Sequence, residues 1–123
     1  MPFVDVAAIG TALYFFGFGA GFVFKPELAS RLGLAWTNAA GRTEVRCYYG
    51  AVSWALGGFI LSTVADDRAV DGVTLALVLA SAVLVTRAIG TVVDGGRREA
   101  YNRVALPTEA AFVLALAIAR FTA

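Results

Sequence analysis

Four apolar runs, each of about the length needed to cross a bilayer, dominate this 123-residue sequence. They extend from about Val4 to Phe24, Cys47 to Val64, Gly72 to Val93 and Arg103 to Phe121. A hydrocarbon core takes about 20 helical residues per crossing, so four crossings consume about 80 positions and leave only short connections. Only 15% of the residues are charged and 59% are hydrophobic, against about 25% charged in ordinary soluble domains. A small soluble domain has too little interior to hide that much apolar surface. The expectation is an all-α integral membrane four-helix bundle with antiparallel up-down connectivity, forming a single transmembrane domain over residues 1–123.

The first run starts Met-Pro-Phe-Val-Asp, without a basic leader, and is longer than the apolar region of a signal peptide, so it reads as a retained span. Pro26 ends it. Glu27 to Leu34 then forms either a short interfacial amphipathic helix, with Trp36 as a headgroup-level anchor, or an ordered polar loop. Asp94-Gly95-Gly96 closes the third span as a turn. Pro107 is expected in the first two turns of the fourth, where its ring meets few committed carbonyls. The connections after spans one and three carry Lys25, Arg31, Arg42, Arg46, Arg97, Arg98 and Arg103. The opposite side carries Asp5, Asp66, Asp67 and Asp71 with only Arg68 and Arg120. The positive-inside rule then puts both long connections in the cytoplasm and both termini outside it. Arginine outnumbers the lone Lys25, and alanine, glycine and valine are abundant, which fits a GC-rich bacterial genome and a bacterial inner membrane.

Absences narrow the chemistry. There is no histidine, so His-dependent triads and His-ligated haem, zinc or iron sites are excluded within the chain. The single Cys47 forms neither an intrachain disulfide nor a redox pair and reads as a packing residue at the start of span two. A net charge of +1 leaves no bulk attraction for nucleic acid. The sequence therefore predicts no enzyme activity and no cofactor.

Small residues recur at helical spacing: Gly10, Gly17 and Gly21 in span one, Gly50 and Gly57 in span two, Ala76 and Ala80 in span three, and Ala111, Ala115 and Ala119 in span four. Membrane helices associate by close packing, which small faces permit, so these residues are expected at helix contacts. Gly17-Phe18-Gly19-Ala20-Gly21 has no preceding strand and no following lysine, and reads as packing rather than a phosphate loop. Phe15, Phe16, Phe18, Phe22 and Phe24 are too many for so narrow a core, so some must face lipid or another protein.

Charges inside the spans are the candidate functional residues. Arg87 lies six residues before Val93 and Glu109 six after Arg103, which places both about 9 Å inside adjacent antiparallel helices. A charge in the bilayer interior normally faces inward and pairs, so an Arg87–Glu109 ion pair is expected. Glu44 and Arg46 enter the same layer from span two, with Tyr48 and Tyr49 one turn deeper. Two readings of this cluster stand: a charge-compensated clamp fixing helix register, or a site in which Arg46 and Arg87 hold an anionic or polar headgroup.

Glu44-Val-Arg46, Tyr49-Gly50, Arg87 with Asp94-Gly95 beyond it, and Glu109 early in the last helix together resemble the bacterial domain-of-unknown-function 4345 family, itself similar to the DoxX-like four-helix membrane proteins. The resemblance implies a four-helix bundle and roles for Glu44, Arg46, Arg87 and Glu109, but no particular activity. DoxX is linked to quinone-coupled sulfur oxidation, and nothing in this chain reproduces a redox centre. Small multidrug transporters of similar length place a glutamate in mid-helix one, where this chain has none. Minimal loops and surplus aromatic surface point first to an accessory subunit of a larger membrane assembly, such as a lipid or solute transporter. Its expected partners are membrane lipids and other integral membrane subunits. The alternative is a small lipid- or metabolite-binding carrier that takes a lipid or anionic small molecule.

Overall fold

The structure, a computed structural model, describes residues Met1–Ala123. It has four long helices and no strand: α1 (Phe3–Phe24), α2 (Ala39–Ala65), α3 (Ala69–Val93) and α4 (Ala100–Phe121). All four are long and apolar enough to cross a membrane, and together they make an antiparallel bundle. One end collects the basic connections 25–38 and 94–99, and the other collects Asp5, Asp66, Asp67 and Asp71.

The helix starts differ from the sequence expectation in three places: α3 begins at Ala69 rather than Gly72, and α2 and α4 also begin early. α2 begins at Ala39 rather than Cys47, because the Asn38 side chain accepts a hydrogen bond from the Gly41 amide at 3.1 Å and caps it. Its first two turns carry Arg42, Glu44 and Arg46, so hydropathy does not register them, and Cys47 lies inside the helix. α4 begins at Ala100, which puts Pro107 in the helix interior rather than its opening turns. The carbonyl of Arg103 there receives no amide proton from residue 107. Between α1 and α2, Pro26–Leu32 is a 3₁₀-helix that ends on Gly33 in the left-handed region, and Trp36 folds back against Gly41 at the start of α2.

Two turns share one closing device. After α3, Gly95 has φ 72°, Gly96 donates to the Thr91 carbonyl at 2.9 Å and Gly95 donates to Val92, a Schellman closure. After α2 the same pattern recurs, with Arg68 donating to Thr63 and Asp67 to Val64, but here Asp67 occupies the left-handed position at φ 57°. Gly95→Ala is expected to lower stability by about 1 kcal/mol, whereas Asp67→Gly is neutral or stabilising. Thermal midpoints of the two variants in one detergent test this, and a more stable Gly95→Ala protein would contradict it.

The contiguous core, with Val4, Ala8, Ala12, Ile60, Val73, Ala76, Leu116 and Ala119, fills the acidic half of the bundle. α1 packs closely on α2, α2 on α3, and α3 on α4, and α1 also touches α3. The seam between α1 and α4, the first and last helices, is much sparser.

The small residues divide between packing and outward positions. Gly50, Gly57, Ala76, Ala80 and Ala119 lie at helix contacts, and Gly21 rests against Leu28 of the 3₁₀-helix. Gly10 and Gly17 face outward with open space around them, and Ala111 and Ala115 are also exposed. This corrects the expectation for those four positions: on α1 the inner face is carried by Ala8, Ala12 and Gly19, so the residues seven apart fall on the opposite side. Gly19 and Gly72 are close-packing positions that the spacing does not single out. A Cβ on Gly72 would lie 2.3 Å from Thr63 Oγ1.

Candidate functional site

Arg87 and Glu109 meet across the α3–α4 contact. The Arg87 Nε donates to Glu109 Oε1 at 2.8 Å and Oε2 at 2.9 Å, and both side chains are about three-quarters buried. The guanidinium also lies over the Tyr101 ring, 5.2 Å from its centroid, a cation–π contact that spacing along the chain does not anticipate. With Nε occupied by the carboxylate and one face covered by Tyr101, the two Nη groups make no hydrogen bond within the chain.

Glu44 and Arg46 do not join this pair. Arg46 donates through Nη1 to the carbonyl of Val23, one of the last carbonyls of α1, which have no partner inside their own helix. A cation at that end is also favoured by the helix dipole. Glu44 is exposed and forms no ion pair. Tyr48 points outward at 68% exposure, while Tyr49 stacks on Phe22 with centroids 5.4 Å apart. Direction around the helix decides the outcome. α2 faces α1 and α3, and it makes at most a marginal contact with α4, where Glu109 resides.

The α2 backbone contributes to this geometry. Residues Arg46–Ala51 form a π-helical turn in which the Val52 amide bonds to the Cys47 carbonyl, and Ser53 Oγ donates to the Tyr49 carbonyl at 2.8 Å. Such turns are frequent at functional sites. Here the turn lets Arg46 reach the end of α1 while Gly50 sits buried against it.

Three cavities touch the Arg87–Glu109 pair, two of them in line along α3. The first, about 370 Å³, opens at the sparse α1–α4 seam and is lined mainly by apolar groups, including Tyr14, Leu79, Ala80, Val83 and Phe112, with Glu109 on its wall. Tyr14 of α1 and Phe112 of α4 approach across it with centroids 6.0 Å apart. The second, about 270 Å³, is lined by Thr86, Arg87, Gly90, Thr91, Asp94 and Asn102, with no hydrophobic residue among them. Ala76, Ala80, Val83, Arg87, Gly90 and Asp94 follow one another at helical spacing, so both cavities lie along one face of α3, about 27 Å long. The face is apolar from 76 to 83 and polar from 86 to 94. Arg87 stands at the change. The sequence holds this signal as a polar continuation of the Ala76–Ala80 stripe, but Asp94 reads there only as part of the turn.

At the basic end, Glu27 of the 3₁₀-helix pairs with Arg42 of α2. Its own backbone amide and the Arg42 hydrogen bond hold the Glu27 carboxyl below its ordinary value of 4.5. A depressed carboxylate stabilises the fold above its unfolded pKa, and that contribution is lost as pH falls through the lowered folded value. In a carboxyl-carbon NMR titration the Glu27 midpoint is expected below 4.5 and should rise in Arg42→Gln. An unchanged midpoint in the variant would remove Arg42 as a cause.

At the acidic end, Arg120 in the last turn of α4 donates to Thr74 Oγ1 of α3 at 2.7 Å. This tie staples the far end of the same helix pair. No group of three or more His, Cys, Asp or Glu side chains is placed to hold a metal ion.

The four membrane-capable helices define a multi-pass membrane protein with an all-α bundle. Comparison with protein-family models, curated proteins and solved structures gives no match.

Proposed function

We propose that this chain acts by binding a membrane amphiphile, with the acyl portion in the α1–α4 cleft and the polar head beside Arg87. One observation carries the reading: an apolar cavity and a polar cavity lie in line on one face of α3, with an ion pair between them. That layout matches the division of an amphiphile, and the sparse seam gives lateral access from the acyl region. Ligand sites are typically apolar clefts with a few convergent polar groups. Burying an anionic head beside an arginine whose Nη groups have no partner satisfies donors that are otherwise costly inside a bundle.

The test is retention of lipid by the purified chain in mild detergent, read by native mass spectrometry. Val83→Trp fills the cleft from a position already 40% exposed, so folding is expected to survive. Lipid retention should fall at least about tenfold, the equivalent of about 1.4 kcal/mol. Equal retention by wild type and the Val83→Trp variant would refute the cleft as the binding site.

A second reading, an accessory subunit docked in a larger bacterial inner-membrane assembly, draws on the outward Gly10 and Gly17. No neighbour lies within 4 Å of a Cβ built at either position, so their smallness serves no contact inside the chain, whereas glycine faces let a second helix approach closely. Under this reading, crosslinking in native membranes traps a larger species that Gly10→Leu/Gly17→Leu abolishes. Recovery of only the lone chain would count against it.

A further inference from the structure

We infer that the polar cavity recognises a zwitterionic head carrying a phosphate and a primary ammonium, with the phosphate on Arg87 and Thr91 and the ammonium on Asp94. The inference rests on the amphiphile reading above and specifies its ligand.

Three observations converge on this cavity. Thr91 lines this cavity at 8% exposure, and its buried Oγ1 has no hydrogen-bond partner. Buried polar atoms are nearly always satisfied, so an orphan beside the free Nη groups of Arg87 points to an acceptor supplied from outside. Those donors favour an anion with several oxygens. Asp94 would repel a purely anionic head, yet it lines the same cavity.

The Asp94 carboxylate, exposed at the rim of this cavity, occupies an electrostatically unfavourable position. It lies at the C-terminal end of α3, where a negative charge opposes the helix dipole, and it forms no ion pair, although Arg97 and Arg98 follow closely. Its Oδ2 turns back over Gly90, 3.8 Å from where a Cβ would stand. Gly90, with no side chain, leaves a gap between Arg87 and Asp94 on the same helix face. A cation from outside gives Asp94 the partner it lacks, and an ammonium attached to a phosphate fits between the two charges. Asn102 completes the wall: its Nδ2 donates to the Gly96 carbonyl at 3.2 Å, leaving its Oδ1 as a further acceptor for the ammonium.

The experiment uses the full chain in detergent with equimolar phosphatidylethanolamine and phosphatidylglycerol of identical acyl chains, and reads retained lipid by native mass spectrometry. Wild type is expected to prefer phosphatidylethanolamine by about tenfold, about 1.4 kcal/mol. Asp94→Asn should reduce the preference to near unity through a fall in retained phosphatidylethanolamine, with retained phosphatidylglycerol not reduced. The variant's thermal midpoint should match or exceed wild type, since an unfavourable charge is removed. Gly90→Leu, which fills the gap and spares both charges, should lose the preference as well.

Equal or greater retention of phosphatidylglycerol by wild type, or a preference that persists in Asp94→Asn, overturns the zwitterion while the amphiphile reading stands. No lipid retained by wild type would overturn both. Free phosphoethanolamine is titrated separately: failure to bind without lipid supports a lipid head, and binding as tight as the lipid's overturns the lipid form in favour of a soluble zwitterion.

Discussion

Glu109→Gln is expected to destabilise the protein by about 2–3 kcal/mol, less than the roughly 3–5 kcal/mol of a fully buried broken pair because both groups keep about a quarter of their exposure. The loss arises mainly from the cation left behind. Arg87 keeps its place over Tyr101 but has lost its counter-charge in a poorly solvated region. Arg87→Leu combined with Glu109→Leu removes both charges and replaces them with apolar volume, and it should recover most of the stability, as apolar replacements of buried ion pairs often do. This double variant separates the two readings of the pair. If Arg87 and Glu109 serve only as a clamp, the variant is a stable protein with wild-type lipid retention. If Arg87 holds a headgroup, the protein is stable and retains about tenfold less lipid, the loss of one charge-assisted contact. Thermal unfolding in detergent and native mass spectrometry on the same preparation read both quantities.

A larger effect is expected at the α1–α2 contact. A Cβ on Gly50 would lie 2.4 Å from Val23 Cγ2 and 3.1 Å from the Val23 amide nitrogen, and one on Gly19 would lie 2.5 Å from Trp54 Cδ1 and 2.8 Å from the Gly50 carbonyl oxygen. The obstruction includes backbone on the partner helix, so rotamer changes do not relieve it. Separating the helices would also endanger the Trp54 Nε1 bond to the Phe16 carbonyl at 3.1 Å, one of the polar ties between these helices. Gly50→Leu is expected to cost more than about 3 kcal/mol, at the upper end of overpacking penalties, and to prevent recovery of folded chain. Gly10→Leu, where a Cβ meets nothing within 4 Å, should leave the stability within about 0.5 kcal/mol of wild type. Equal behaviour of the two substitutions in size-exclusion and melting measurements would remove close packing as the reason for Gly50.

The legible part of this protein is what depends on distance along the chain. The existence of four spans, the turn at Gly95 and the pairing of Arg87 with Glu109 all follow from rise per residue and hydropathy. The illegible part depends on rotation about a helix axis and on which helices are neighbours. Arg46 turns toward the end of α1 and does not join Arg87 and Glu109. Gly10 and Gly17 have a repeat suited to a helix contact, but it runs along the outer face of α1. The π-helical turn at Arg46–Ala51 adds to the difficulty, because one widened turn shifts the phase of every residue before it relative to those after it. Asp94 reads as part of a turn because Asp-Gly-Gly is a strong turn signal, which hides its membership of the polar face below Arg87. The start of α2 escapes for a related reason: its first turns are amphipathic and lie at the end of the bundle, and a search for apolar length does not find them.

The arrangement of the core has a mechanical consequence. The contiguous core of the four helices lies in the acidic half, and the cleft opens between the first and last helices, which no loop joins to each other. The bundle is therefore built like forceps, gripped at one end and free at the other. No loop would be stretched if α1 and α4 parted beside the cleft, whereas at the acidic end Val4, Ala8 and Ala12 of α1 share one core with Leu116 and Ala119 of α4 and hold the two helices together.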